Sequence, residues 1–254
     1  MSRYISITIL VTILLSGIQC TKKDNSSLPV TGQLYLHLHT NIDTTEVESY
    51  NTIINSNNGR KVSLSLAQMY ISAIELIKLD GSVLAVTDKV LLKTLETESY
   101  LLGNVPVGNY KSIRFEVGLN ATENNISPAL NDSVFYRPEM WFGTSAQPSG
   151  YIFVNIEGKI DTTANGNSTV AQMAPFSYKI GTIANSKQVI LPDNNFTVLP
   201  NLAEYVHVTV NYMKLFEGVD ITKSYNLSVQ NQVDNTGATA KQIMNNIPNM
   251  FRYE

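Results

Sequence analysis

Apolar and polar residues alternate with a period of two through segment after segment of this chain, and that pattern restricts it to sheets. Leu34, Leu36 and Leu38 alternate with Tyr35, His37 and His39, while Val206, Val208 and Val210 alternate with Tyr205, His207 and Thr209. Successive side chains of a strand point to opposite faces, so both segments read as half-buried strands. Strand-like runs recur at Val62–Leu66, Tyr70–Leu79, Val83–Val86, Ser112–Val117, Tyr151–Glu157, Phe176–Ile180 and Lys187–Leu191. Asp80-Gly81 between two of them is a hairpin signal. Short strands at this spacing, with no long helical period between them, predict an all-β fold, an antiparallel β-sandwich. One short C-terminal helix is expected, because Ala240, Ile243, Met244 and Ile247 fall at helical spacing, with Pro248 ending the run.

Ahead of the strands, Arg3 precedes an apolar run from Ile5 to Ile18, the pattern of an export signal. That run is shorter than the roughly twenty residues a bilayer span needs. The one cysteine, Cys20, follows Leu14-Leu15-Ser16-Gly17-Ile18-Gln19 and reads as a lipobox cysteine carrying a lipid anchor, although Gln19 stands where small residues are preferred. In the alternative reading, a plain secretory signal takes Cys20 away with it. Residues 1–20 are thus expected to be a leader, 21–32 a polar tether, and 33–254 one domain. A chain with one thiol has no internal disulfide, so its core alone must hold the fold. Removing the leader takes away Arg3 alone and moves the formal net charge from −3 to −4. No basic footprint for nucleic acid is present. The expected location is the cell envelope, on a bacterial membrane, facing the periplasm or the cell surface.

Three histidines are the whole stock. His37 and His39, at i and i+2, share a strand face and can address one metal ion. The alternation puts them opposite Leu34, Leu36 and Leu38, and puts His207 opposite its valines. All three therefore lie on polar faces, and they converge only if the first strand and the Tyr205–Phe216 strand are neighbours. As an alternative, His37 is a solvated surface residue. Trp141, the one tryptophan, lies among Pro138, Glu139, Met140 and Phe142 in a segment without periodicity, where a plug closing the sandwich is the ordinary role. In Tyr151–Glu157 both faces are apolar except for Asn155 and Glu157, and the Glu157 carboxylate needs a donor such as Arg114 or Lys179. Acid pairs Glu46/Glu48 and Glu96/Glu98 have no aromatic cleft around them, and no nucleophile elbow, zinc-protease helix or phosphate loop occurs. A binding protein is expected rather than an enzyme.

Several segments together resemble the methanobactin-associated copper-binding proteins. They are Met69–Leu76 followed by Asp80-Gly81, Val105–Gly118, Met140-Trp141, Gly150–Gly158 and Phe176–Gly181. The resemblance implies a β-sandwich that binds copper through histidines and a tryptophan oxidised by a separate di-haem enzyme. Here that would mean His39, His207, His37 and Trp141. Relatives carry a tighter Met-x-Trp-x-Trp segment before Gly-Tyr, where this chain has Gly143–Ser149 between. They also carry Tyr-His-Ile-Gly where this chain has Tyr178-Lys179-Ile180-Gly181. A second expectation is an interaction lipoprotein, its metal site decayed, that captures a glycan or protein on an aromatic patch of Tyr136, Trp141, Phe142 and Tyr151.

Overall fold

The computed structural model describes residues 29–86, 88–143, 150–163 and 166–254. Cys20 and the leader lie outside the described residues, as does most of the Gly143–Ser149 insertion. The main strands are β1 (Thr31–Ile42), β2 (Lys61–Lys78), β3 (Ser99–Pro106), β4 (Gly108–Val117), β5 (Ile152–Ile160), β6 (Ala174–Gly181), β7 (Lys187–Ile190) and β8 (Ala203–Asn211). A helix, α1 (Ala238–Met250), follows and runs directly into β9 (Phe251–Tyr253). Strand β1 begins at Thr31, inside the stretch read as tether.

Two sheets face each other. One has the order β9-β8-β1, with β3 on the far edge of β1, and the other has the order β7-β4-β2-β5-β6 with short strands attached. Leu34, Leu36 and Leu38 of β1 and Val206, Val208 and Val210 of β8 point inward. There they meet Met69, Ile71, Phe115, Val154 and Ile156 of the larger sheet. Each fully buried leucine contributes about 2 kcal/mol of transfer free energy, an upper value. Ala240, Ile243, Met244, Ile247 and Met250 of α1 join the same core.

The sandwich expected from the alternation is present, with four local departures. Val62–Leu66 and Tyr70–Leu79 are not two strands but parts of the single strand β2, which bends at bulges between Leu64 and Leu66 and between Ser72 and Glu75. Ala73, at φ 47°, sits in the second. The strand through Val210 stops at Asn211 instead of continuing to Phe216, because the Asn211 side chain accepts the Met213 and Asp43 N–H groups and starts a 3₁₀ turn at Tyr212–Phe216. Pro248 lies inside α1 rather than after it. Its ring removes one helical hydrogen bond, but the fully buried Ile247 and Met250 on either side carry the helix past it. Lastly, β1 and β8 pair in parallel, whereas most pairings are antiparallel.

The hairpin read at Asp80-Gly81 is there. Gly81 at φ 84° donates its N–H to Lys78, and Ser82 donates to the Asp80 carboxylate. Among the described residues no helix is long and apolar enough to cross a membrane.

Candidate metal centre

The parallel register of β1 and β8 sets His37 directly beside His207, and His39 beside Thr209. Because Leu36, Leu38, Val206 and Val208 take the inner face, all three imidazoles stand together on the outer face of the smaller sheet. Ring centroids are 4.3 Å apart for His37 and His39, 4.7 Å for His37 and His207, and 5.8 Å for His39 and His207. One nitrogen from each lies within 4.8 Å of one from each of the others.

A carboxylate stands beside each ring. Glu46 approaches Nδ1 of His39 at 2.7 Å, Glu98 approaches Nε2 of His37 at 3.2 Å, and Glu254 lies 3.4 Å from Nε2 of His39 and 3.8 Å from Nδ1 of His207. A carboxylate accepts, so the Glu46 contact fixes the proton of neutral His39 on Nδ1 and leaves Nε2 as a bare lone pair. That Nε2 atom is buried and has no hydrogen-bond partner. An imidazole held by a carboxylate on one nitrogen, with the other free, is how metal-ligating histidines are oriented. The donor set suits a divalent copper or zinc ion: imidazoles and carboxylates, with no thiolate.

The three carboxylates escaped the sequence reading. Glu46 and Glu98 belong to pairs considered only as a glycosidase couple, and each places one member against a histidine. Glu254 carries no local signal at all. It arrives through the antiparallel pairing of β9 with β8, in which Val208 faces Tyr253 and Thr209 faces Arg252.

Trp141 does not join this group. It follows the 3₁₀ turn Pro138–Met140 and makes an isolated antiparallel bridge with Tyr151. It is 6 % exposed and packs edge-on against Tyr136 at 5.7 Å. Its cluster contains Tyr70, Leu92, Leu119, Met140, Tyr151 and Phe153. Tyr70 and Phe153 alternate along β2 and β5 with Met69, Ile71 and Val154, which face the main core. Trp141 therefore covers the outer face of the larger sheet, and the whole sandwich separates it from the histidines. The expected aromatic display patch is corrected accordingly, because Trp141 and Tyr151 are buried and cannot present a platform.

Lys179, where the resemblance leads one to expect a histidine, lies opposite Asn155 and pairs with Glu157 at 3.3 Å. Of the two donors expected for Glu157, it is the one used. Arg114 pairs instead with Glu75.

Comparison with known proteins decides the lineage. The sequence model of the MbnP family matches residues 31–235, most of the chain. This chain belongs to the MbnP family. Among solved structures it is similar to MbnP from Methylosinus trichosporium, at 15 % identity and a TM-score of 0.51, covering 76 % of this chain and 80 % of that one. At that identity the likeness is one of fold. A search of curated proteins by sequence finds no match. The MbnP-family match reaches from β1 through β8 and stops short of α1, β9 and Glu254.

Proposed function

We propose that this MbnP-family chain is a copper-binding lipoprotein of the bacterial cell envelope, anchored through Cys20, whose metal is held by His37, His39 and His207. One observation carries the reading: three imidazoles converge on the open face of two parallel strands, and the buried Nε2 of His39 has no hydrogen-bond partner. Three rings this close repel one another if all are protonated, and a shared cation removes that cost. The family lineage favours copper over zinc as the ion. In this proposal the protein acts by binding rather than by turnover.

Copper added at about a hundredfold over its Kd should stabilise the native state by about 2.7 kcal/mol. For a domain of this size that corresponds to a rise in melting temperature of roughly 5–10 °C. His39→Ala should cancel the shift. A wild-type melting curve unmoved by excess copper would sink the proposal. Anchoring has its own check: Cys20→Ser should move the protein from the membrane fraction to the soluble one.

Trp141 and a di-haem oxidase partner are left out of this reading. An external oxidase would have to reach an indole that is 6 % exposed, and its product would stand on the wrong sheet to meet the histidines. Trp141→Phe should therefore cost about 1–2 kcal/mol of stability in urea melts and leave the copper titration unchanged. A variant that still folds but no longer binds copper would return the tryptophan to the site.

A further inference from the structure

We propose that the end of the sandwich where β1 begins is a lipid-contacting surface, seated on the headgroup layer of the membrane that holds Cys20. This rests on the anchor proposed above and adds an orientation to it.

Three segments meet at that end: the start of β1, the turn from β3 into β4, and the turn at residues 199–202 that leads into β8. Val107 donates its N–H to the Val30 carbonyl, Asn201 donates to Thr31, and Gln33 donates to Leu202. The short strand Phe196–Val198 joins them by setting Val198 opposite Gly108 at the start of β4. Gly32 allows the close approach, since a Cβ there would lie 2.2 Å from the Leu199 carbonyl oxygen. The backbone is thus tied on all sides, yet Val30 is 60 % exposed and Leu202 57 %, with Leu199 and Val107 exposed beside them.

Single exposed aliphatic residues are ordinary, whereas several gathered on one rigid tip mark a contact surface. Charged residues make up 15 % of the chain, but Pro29–Gln33, Gly103–Asn109 and Thr197–Ala203 contain none. A chain of net negative charge gains no attraction from anionic lipid, so its contact with a leaflet must come from apolar burial. A tip without charges loses no ion hydration on touching the interface. The tether supplies the occupant. Only ten residues separate Cys20 from Val30, a reach of at most about 33–36 Å, so an acylated Cys20 keeps this end, more than any other, against the bilayer. His37 lies seven residues beyond Val30 along β1, roughly 23 Å at the rise of a strand. The histidine centre then stands clear of the headgroups and opens sideways to water.

The test takes the chain from Cys20 onward, which keeps every described residue, and couples that one thiol to a maleimide-bearing lipid in vesicles of phosphatidylethanolamine and phosphatidylglycerol. In a Trp141→Phe background, Leu202→Trp places the single emitter at the tip, and Asn57→Trp places it beside Asp43 at the far end of β1. Acyl chains carrying bromine should quench Leu202→Trp at least about twofold and leave Asn57→Trp nearly unchanged. Adding Val30→Asp and Leu199→Asp should abolish the tip quenching while leaving the melting curve and the copper titration as they were. Equal quenching at both positions, or none at the tip, refutes the lipid contact. So does an unquenched tip that dimerises in ultracentrifugation and is made monomeric by the aspartates, which assigns the patch to a second copy. Because the maleimide supplies the anchor, the result is independent of lipidation in the cell, which the fractionation of Cys20→Ser decides separately.

Discussion

Gly158→Ala is expected to cost at least about 3 kcal/mol, a large fraction of the roughly 5–15 kcal/mol by which a native chain is stable. A Cβ at this position would lie 2.0 Å from the Ser63 carbonyl oxygen and 2.7 Å from the Phe176 ring. Neither neighbour can retreat. Ser63 belongs to the central strand β2 just before its first bulge, where Leu64 faces Gly158 and Leu66 already faces Glu157. Phe176 is directly opposite Gly158 on β6 and 2 % exposed, packed edge-on against Phe216. The glycine is therefore required for space: its backbone is ordinary extended strand, and the bulged β2 leans into the volume a methyl group would fill. Circular dichroism and urea melts of the purified variant check this. A loss below about 1 kcal/mol would mean that β2 shifts freely, contrary to its pairing on both edges.

The same strand explains what the sequence could and could not convey. Tyr151–Glu157 reads as apolar on both faces, which marks a strand covered on both sides, but nothing in it says by what. The covering is the non-periodic turn Pro138–Met140 with Trp141, a loop packed by its own aromatic side chains. Along β1 the alternation was sufficient to turn His37 and His39 outward, since Leu34, Leu36 and Leu38 could not be spared from the core. It could not show that His207, distant in sequence, comes alongside through a parallel pairing. Parallel strands need long connections, and those carry no local register signal. The carboxylates were still less legible. Glu46 and Glu98 reach the histidines from segments paired along the far side of β1, and Glu254 from beyond β9 on the side of β8. Each is partly exposed and sits in a segment whose composition is that of ordinary surface. By contrast, Lys179 with Glu157 follows from parity and one strand pairing, and was within reach.

Stability should rise as the pH is raised from about 7 to about 10, an unusual direction that traces to one buried lysine. Lys93 sits in the short strand Leu91–Lys93, opposite Met69 on β2, and is 0 % exposed. Its ammonium donates to the Thr40 hydroxyl at 2.5 Å and the Thr94 carbonyl at 2.7 Å. Desolvation dominates the nearby Glu98 and Glu96 charges and lowers its pKa to about 7. In the unfolded chain the same amine holds its proton to roughly pH 10.4. Between these values the unfolded state binds the extra proton, so raising the pH favours folding by up to about 1.4 kcal/mol per unit. Below the folded pKa both states are protonated and the slope vanishes. Above about pH 10 the slope reverses, since burial pushes the hydroxyls of Tyr70, Tyr100, Tyr178 and Tyr212 upward and only the unfolded chain ionises them. Lys93→Met removes the titration while keeping the length of the side chain. It should be more stable than wild type by about 2 kcal/mol near pH 7, the relief of desolvation being offset in part by the stranded Thr40 hydroxyl. That advantage should shrink as the pH climbs. Urea midpoints of both proteins at about pH 7 and about pH 9.5 measure it. Parallel pH profiles for the two would show that Lys93 stays charged in the core, with Thr40 and the neighbouring glutamates solvating it fully.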